Sequence, residues 1–291
     1  MNRLDRTTRR LAASAALALA ATLAGCGGAG APVLEGPAPE SPAGGRGVPG
    51  FDTRTYPGDG TMAAWLDASP YRWVGFYLPA PCYTGTSWHG KRSTLARMGW
   101  GLAVLFVGEQ DWAEGAVRGA GASDDAGAGT AADGAAAAAV RCTRSNLSGD
   151  RGRDDAGEAA AAARAEGFAA GTVIYLDVEP VESVSDSLAT YVGAWAAALA
   201  GEGYRPGLYA HGRNADALLA AMGGALPAGA AAPPLWVAKP AGFSLRRGPA
   251  ESGYPATIWQ GKLDIDEAWA GTTLRIDANV ATSAEPSRPG G

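Results

Sequence analysis

Histidine and cysteine are scarce in this chain of 291 residues, and several motifs that mark common active sites are missing. Its two histidines, His89 and His211, lie far apart and do not form the HExxH spacing of a zinc site. No GxGxxG follows a predicted strand, and neither a GxxxxGK(S/T) phosphate loop nor a GxSxG nucleophile elbow occurs. The sequence therefore disfavours a nucleotide site and Ser-His-Asp catalysis, and we expect no cofactor and no metal.

A basic stripe is missing as well. Lysine and arginine number 24 against 29 aspartates and glutamates, which gives a formal net charge of −5. Several of the arginines fall in the first ten residues, so the remainder is more acidic still. Because nucleic-acid-binding domains concentrate positive charge on one face, we predict no nucleic-acid partner.

The N-terminus has the pattern of an export signal rather than of a folded element. A basic stretch from Arg3 to Arg10 precedes the apolar, Ala-rich stretch Leu11 to Gly25. That apolar stretch is too short to span a bilayer as a helix. A signal peptide is therefore predicted over residues 1–25.

The signal ends in Leu23-Ala24-Gly25-Cys26, which looks like the lipobox of bacterial lipoproteins. That motif implies cleavage before Cys26 and a diacylglyceryl chain on its sulfur, so we expect an extracytoplasmic protein anchored to the outer face of the plasma membrane. The alternative is an ordinary secretory signal with a chance cysteine. Thr8-Arg9-Arg10-Leu11 resembles a twin-arginine signal, which leaves the export route open.

Two cysteines remain if Cys26 carries a lipid. In an oxidising compartment the default expectation is a disulfide between Cys82 and Cys142. The alternative is two free thiols, because sequence alone does not fix a pairing.

Composition divides the chain into a tether, one large domain and a tail. Residues 26–48 are rich in Gly, Pro and Ala and predict a flexible tether, and residues 283–291 predict a disordered tail. Residues 49–282 form the predicted domain, interrupted by a low-complexity insertion over 113–149. A single domain of that length accommodates an α/β barrel, and we expect a monomer.

Strand and helix signals alternate along this domain. Eight apolar segments predict strands, and the early ones are separated by helical segments. We therefore predict an α/β fold, a modified (β/α)8 TIM-like barrel that is irregular in its last third, where little helix separates the strands. A Rossmann-like open sheet is the alternative. The predicted strands begin near Gly50, Trp73, Leu102, Thr172, Arg205, Leu235, Ala256 and Leu274.

The segment Thr172 to Pro180, TVIYLDVEP, ends in two carboxylates. Because side chains alternate faces along a strand, Tyr175, Asp177 and Glu179 point the same way. Two acids side by side at the end of a strand suit acid/base work on a glycosidic bond. The alternative is a strand that runs into a loop with both acids solvated or ion-paired.

Barrel enzymes place their functional groups at the carboxyl ends of the strands. Acids, amides and aromatics gathered there suit a polar polymer such as a sugar chain, with carboxylates for chemistry, aromatic faces for stacking and amides for hydroxyl groups. The predicted strand ends carry Asp52, Tyr77, Glu109, Gln110, Asp177, Glu179, Tyr209, His211, Trp236, Lys239, Trp259, Gln260, Asp277 and Asn279.

The sequence leaves two interpretations open for some of these residues. Trp236 and Trp259 fit a stacking surface as well as they fit a core. His211 is placed to touch a substrate, or it is a plain loop histidine. The run from Asp264 to Glu267 offers carboxylates but lacks the ligand pattern of an EF-hand, so we expect a solvated acidic loop there.

These motifs together resemble family-25 glycoside hydrolases, the lysozyme-like muramidases. They resemble more closely the glycoside-hydrolase-like domain of unknown function 1906, through the Phe76-Tyr77-Leu78 strand, the strand that ends in Glu109-Gln110, and Asp155-Ala156 in a helix before the acidic strand. The resembling pieces occur in the order Gly50-Phe51-Asp52, Tyr175-Leu176-Asp177-Val178-Glu179, Gly207-Leu208-Tyr209, Leu235-Trp236-Val237-Ala238, Trp259-Gln260 and Ile276-Asp277-Ala278-Asn279.

The resemblance implies a role for each of four acids. Glu179 would be the general acid, and Asp177 would orient or stabilise the N-acetyl group of the substrate. Asp52 and Asp277 would shape the cleft and tune the pKa values of the other acids by like-charge proximity. The substrate-binding side chains would be Tyr77, Gln110, Tyr209, Trp236, Trp259, Gln260 and Asn279.

The resemblance also implies a cell-wall glycan as the partner, with hydrolysis of β-1,4-linked amino-sugar glycan (peptidoglycan) as the activity. The chain departs from the muramidases after the third predicted strand, where they carry aromatic and acidic residues and this chain carries the Gly/Ala-rich insertion. The alternative function is therefore a wall-glycan-binding or scaffold protein with a vestigial site.

Overall fold

The computed structural model describes residues 46–113 and 142–289. The predicted signal peptide, Cys26, nearly all of the tether and most of the predicted insertion lie outside these residues. Within them, eight strands close into a barrel in which each strand pairs with its neighbours in chain order. The strands are β1 (Val48–Asp52), β2 (Trp73–Tyr77), β3 (Gly101–Val107), β4 (Val173–Val178), β5 (Arg205–His211), β6 (Leu235–Ala238), β7 (Ala256–Trp269) and β8 (Thr272–Ala281).

The predicted barrel fold is confirmed, including its irregular last third. Strands β1 to β7 run parallel, whereas β8 is antiparallel to both β7 and β1. Five α-helices lie between the first six strands in the described ranges, but only the 3₁₀ turn Pro249–Ser252 separates β6 from β7. The helices are α1 (Asp59–Ala68), α2 (Arg92–Met98), α3 (Gly149–Glu166), α4 (Asp186–Gly201) and α5 (Gly212–Ala225).

The core has two layers because alternate side chains of each strand face opposite sides of the sheet. Inside the barrel, Trp73, Tyr175 and Trp236 are fully buried and meet edge to face. Outside it, the aliphatic side chains of Ile174 and Leu176 pack beneath the helices. The inner layer fills the lower barrel, so any substrate site lies above it.

Helix α3 begins at Gly149, the last residue of the predicted insertion over 113–149. The Ser148 hydroxyl accepts the Arg151 N–H at 3.1 Å and caps the helix. Gly152 lets this first turn approach α4, because a Cβ there would lie 2.5 Å from the Tyr191 carbonyl oxygen. The C-terminal part of the predicted insertion is thus ordered structure.

The segment after β8 also differs from the predicted disordered tail. Ser287 is buried, and its hydroxyl accepts the Val104 N–H at 2.8 Å. Its backbone N–H donates to Leu102, and its carbonyl accepts the Val173 N–H. The tail covers the lower ends of β3 and β4 because their backbone groups need hydrogen-bond partners there.

The predicted disulfide is confirmed. Cys82 and Cys142 are bonded, with their Cα atoms 5.6 Å apart. The bond joins the loop after β2 to the segment that leads into α3, so both segments are fixed at the carboxyl end of the barrel. Within the described ranges no helix has the length and apolar character to cross a membrane.

Candidate active site

Four carboxyl groups gather at the carboxyl end of the barrel, called the rim below. Asp52 ends β1, Asp177 lies near the end of β4, and Glu179 follows β4. Asp277 lies in the middle of β8 rather than at its end, and it reaches the rim because β8 runs antiparallel and pairs it directly with Asp52.

Asp52 is held by three donors. Its Oδ1 accepts from Asn279 Nδ2 at 2.8 Å and from Gln260 Nε2 at 3.0 Å, and its Oδ2 accepts the Tyr77 hydroxyl at 2.9 Å. Burial raises the pKa of Asp52 to about 6, although the three hydrogen bonds oppose that rise. Because both oxygens of Asp52 already accept hydrogen bonds, this carboxyl group holds Tyr77, Gln260 and Asn279 in place.

Asp277 shares a donor with Asp52. The Gln260 Nε2 that bonds Asp52 lies 3.1 Å from Asp277 Oδ2, so a single amide bridges the two acids. The Asp264 N–H donates to the other Asp277 oxygen at 2.7 Å. Burial and the nearby charge of Asp52 raise the pKa of Asp277 to about 8, so one of these two acids holds a proton at neutral pH.

Asp177 is held by fewer hydrogen bonds than Asp52 and Asp277. It is buried, and its Oδ1 has no hydrogen-bond partner in the described part of the chain. Burial, together with the charges of Glu179, Asp52 and Asp277, holds the pKa of Asp177 well above its usual range. A raised pKa favours the protonated form of Asp177, and its O–H can then donate a hydrogen bond.

Glu179 is half-buried, and two amide side chains fix the backbone on either side of it. Gln110 Nε2 donates to the Asp177 carbonyl at 2.8 Å, while Gln110 Oε1 accepts the Glu179 N–H at 2.9 Å. Two residues further on, Asn214 accepts the Val181 N–H and donates to the Val181 carbonyl, both at 3.1 Å. These contacts hold the loop that presents Glu179.

Gln110 therefore has a different role from the predicted contact with substrate. It is fully buried, and its amide is committed to the backbone of Asp177, Glu179 and Gly108. Asn214 was not predicted at all, because an asparagine in the first turn of a helix has no distinctive sequence signal.

Tyr77 and Tyr209 are partly exposed and flank the acids. The Tyr209 hydroxyl donates to Gln260 Oε1 at 2.7 Å. Burial and the surrounding acids raise the pKa of both tyrosines well above the usual range, so both keep their protons. The structure thus brings together the predicted residues Asp52, Tyr77, Asp177, Glu179, Tyr209, Gln260, Asp277 and Asn279.

The stacking role predicted for two tryptophans does not fit their positions. Trp236 is fully buried inside the barrel, where its Nε1 donates to Asn279 Oδ1 at 2.9 Å. Trp259 is also fully buried, and it packs edge to face on Phe243 outside the barrel. Neither ring offers a face to a sugar, because one lies below the acids and the other lies behind the sheet.

Other predicted positions have structural partners. His211 Nδ1 accepts the Arg213 N–H at 3.1 Å and caps α5. Lys239 Nζ donates to the Ser252 carbonyl at 2.5 Å. Asp266 pairs with Arg275 at 3.0 Å on the β7–β8 ribbon, so this acid lies in a strand rather than in the predicted loop.

Glu109 belongs to a second buried cluster behind the rim. Its carboxylate lies 3.3 Å from Arg151 Nε, and Arg151 Nη2 lies 2.5 Å from Asp155. Burial raises the pKa of Glu109 to about 7 and that of Asp155 to about 6. Glu109 also lies beside the Cys82 and Cys142 sulfurs, but a disulfide supplies no thiolate for a metal.

Comparison with protein families gives one match. The family described as "Rv2525c-like, glycoside hydrolase-like domain" matches residues 63–281, which is most of the chain and includes Asp177, Glu179 and Asp277. No curated protein matches the chain.

Solved structures share the fold at low sequence identity. An uncharacterized B. stearothermophilus protein is 18% identical, with a TM-score of 0.52 and coverage of 81% of this chain and 96% of that one. The modular autolysin LytC from Streptococcus pneumoniae is 14% identical, with a TM-score of 0.51 and coverage of 80% and 46%. The Clostridium perfringens spore cortex lytic enzyme SleM is 11% identical, with a TM-score of 0.50 and coverage of 81% and 68%.

Proposed function

Because this chain belongs to the Rv2525c-like family of glycoside hydrolase-like domains, we propose that it hydrolyses β-1,4-linked amino-sugar glycan, namely peptidoglycan, with Glu179 as the general acid. Glu179 would give its proton to the glycosidic oxygen as the bond to the leaving sugar breaks. Water would then form the new bond to the anomeric carbon and give a proton back to the Glu179 carboxylate, which restores the acid.

The observation that carries this proposal is the environment of Asp177. Its buried Oδ1 has no hydrogen-bond partner among the described residues, and burial together with the neighbouring acids raises its pKa. Leaving such a polar group unpaired is unfavourable unless a ligand completes the site. The N-acetyl group of a bound sugar is a polar partner of the right kind, and Asp177 would orient or stabilise it.

The structural neighbours support the choice of substrate. LytC is named an autolysin and SleM a spore cortex lytic enzyme, and LytC has also been solved in complex with a synthetic peptidoglycan ligand. This chain spans about half the length of LytC. A cell-wall glycan as partner for this chain therefore remains part of the proposal.

The location is part of the same proposal. The leader and the lipobox at Cys26 favour an exported protein anchored on the outer face of the plasma membrane, where peptidoglycan is accessible. A diacylglyceryl group supplies the two chains that stable anchoring needs.

One observation favours the alternative, a protein that binds glycan without cleaving it. Tyr77, Gln260 and Asn279 all donate hydrogen bonds to Asp52, which leaves Asp52 no free role in proton transfer.

The test compares the wild-type protein with a Glu179→Gln variant on purified peptidoglycan. We expect new reducing ends from the wild type and a rate lower by about 10²–10⁴ for the variant. Glu285→Gln, an exposed substitution beyond β8, is the matched control and should keep full activity. Equal amounts of product from wild type and Glu179→Gln would show that Glu179 is not the general acid. No product from either, with sedimentation on peptidoglycan retained, would support the binding protein.

A further inference from the structure

A pocket of about 340 Å³ lies at the carboxyl end of the barrel, against the loop that follows β4. Pro180, which directly follows Glu179, belongs to its lining, so the pocket adjoins the proposed general acid. We call it the rim pocket. It is lined by Asp111, Trp112, Ala113, Arg144, Pro180, Val181, Glu182 and Ser183.

One wall of the rim pocket is the segment that carries Arg144. The Cys82–Cys142 disulfide anchors this segment two residues earlier, and the Arg144 N–H donates to the Trp112 carbonyl at 2.9 Å. The Arg144 side chain is 65% exposed, and its Nε is paired with Asp111. The pairing fixes the guanidinium while its two terminal nitrogens bond to no other residue of the described ranges.

The other wall is the loop from Pro180 to Ser183. Asn214 holds Val181 through both of its backbone groups. Ser185, which ends the loop and caps α4, donates from its hydroxyl to Asp111 Oδ2 at 2.7 Å. Glu182 is exposed on this wall.

Asp111 connects the two walls. Its side chain is 3% exposed, and its two oxygens bond Arg144 on one wall and Ser185 on the other. A buried carboxylate that bridges both walls makes the pocket pre-formed, so a ligand would lose little free energy in ordering it.

The chemistry of the lining identifies a class of ligand. A planar guanidinium with free terminal nitrogens is suited to a carboxylate, which it can bind through two parallel hydrogen bonds. Trp112, Pro180 and Val181 supply apolar surface, and the Glu182 carboxylate can accept an N–H. A bare N-acetyl sugar carries no carboxylate, so the pocket fits a substituent rather than another sugar of the backbone.

We propose that the rim pocket is a subsite that binds a carboxylate-bearing substituent of the glycan, with Arg144 as the residue that recognises it. The inference rests on the proposed function, because the cleft must hold a glycan. In peptidoglycan the carboxylate comes either from the stem peptide or, where the peptide has been removed, from the lactyl ether of the sugar itself.

The experiment measures binding and does not require turnover. The mature protein with Glu179→Gln is titrated by calorimetry with three soluble oligosaccharides of equal length. One bears stem peptides, one has been stripped to free lactyl groups, and one contains only N-acetylglucosamine. The titrations are repeated with Arg144→Gln, with Arg144→Lys, and with the control Arg153→Gln, an exposed arginine on α3.

We expect Arg144→Gln to weaken binding of a carboxylate-bearing ligand about 10-fold and to leave the N-acetylglucosamine oligomer unchanged. Arg144→Lys should give an intermediate loss, because it keeps the charge without the planar fork. A loss confined to the stem-bearing ligand identifies the peptide as the source, and an equal loss for the stripped ligand identifies the lactyl group.

Two outcomes would overturn the inference in different ways. All three ligands could bind, with Arg144→Gln lowering the affinity for each by the same factor or leaving every affinity unchanged. In that case the subsite is wrong and the glycan site stands. If none of the three binds to either protein, the proposed function fails together with the subsite. A thermal unfolding midpoint unchanged by Arg144→Gln shows that the variant is folded.

Discussion

The four carboxyl groups at the rim differ in what surrounds each of them. Asp52 accepts three hydrogen bonds from Tyr77, Gln260 and Asn279, whereas one buried oxygen of Asp177 has no partner among the described residues. The same residue type therefore serves two purposes in one site. The saturated acid holds its neighbours in place, and the unsatisfied acid is available to a ligand.

A substitution of Gln110 tests whether this one residue positions Asp177 and Glu179. Gln110→Met keeps the side-chain size and removes the hydrogen bonds to the backbone of Asp177 and Glu179. Because a misplacement of about 1 Å can cost on the order of 10²-fold in rate, we expect kcat to fall by about that factor with KM nearly unchanged. Steady-state kinetics on soluble glycan measures both constants.

Gln110→Glu is the conservative companion, because its carboxylate can still accept the Glu179 N–H. It should recover part of the lost kcat. A rise in KM with kcat intact in the Met variant would show instead that Gln110 contacts the substrate directly.

Period-two alternation along TVIYLDVEP is why sequence alone could place Asp177 and Glu179 on one side of a strand. The same rule could not settle Trp259, because its direction depends on the register of β7, where a one-residue shift exchanges the two faces. Arg144 and Asp111 escaped prediction for another reason. Their meeting depends on a disulfide and on loops whose path has no periodic pattern.

At the scale of elements, the reversed direction of β8 shapes the site. The β7–β8 hairpin replaces a crossover helix, and the antiparallel register sets Asp277 opposite Asp52. The sequence predicted the strands and the lack of helix between them. The direction of β8 could not be predicted, because the residue pattern of an apolar strand is the same whether it pairs parallel or antiparallel.

The disulfide should contribute strongly to stability. Cys82 and Cys142 are 60 residues apart, and closing a loop of that length restricts the unfolded chain by about 4 kcal/mol on the loop-entropy argument. We expect the double variant Cys82→Ser/Cys142→Ser to lose up to about that free energy of unfolding in urea titrations.

Wild-type protein treated with reductant is the matched comparison and should fall to the same midpoint. A midpoint shared by the oxidised wild type and the double variant would contradict the expected contribution.

At the scale of the whole molecule, the clustered acids link stability to pH. Asp277 keeps its proton in the folded state up to a pKa of about 8, against 3.8 for the ordinary group, and Asp52 up to about 6. Between pH 3.8 and about pH 8, the folded state therefore binds more protons than the unfolded state. The free energy of unfolding should therefore fall as pH rises from 4 to 8 through these groups.

Thermal melting from pH 5 to pH 8 measures this dependence. Asp277→Asn should flatten the fall, because it removes the group that holds its proton to the highest pH of the two. Asp216→Asn, on an exposed position of α5, is the control and should melt with the wild-type slope. An unchanged slope in Asp277→Asn would mean that Asp277 ionises freely in the folded protein.

The proposed membrane attachment concerns the whole chain and would depend on one residue outside the described ranges. Cys26→Ser removes the proposed site of lipid attachment. We expect the protein to move from the membrane fraction to the soluble extracytoplasmic fraction, since no other anchor is proposed. Membrane association at the wild-type level in the Cys26→Ser variant would contradict lipidation at this cysteine.

The most direct test of the proposed activity is the identity of the bond that is cut. Purified peptidoglycan is digested with the wild-type protein or with Glu179→Gln, the soluble fragments are reduced with borohydride, and their masses are determined. We predict fragments that end in a reduced amino sugar for the wild type, and almost none for the variant. The same fragments from both proteins, or none from either, would contradict hydrolysis by Glu179.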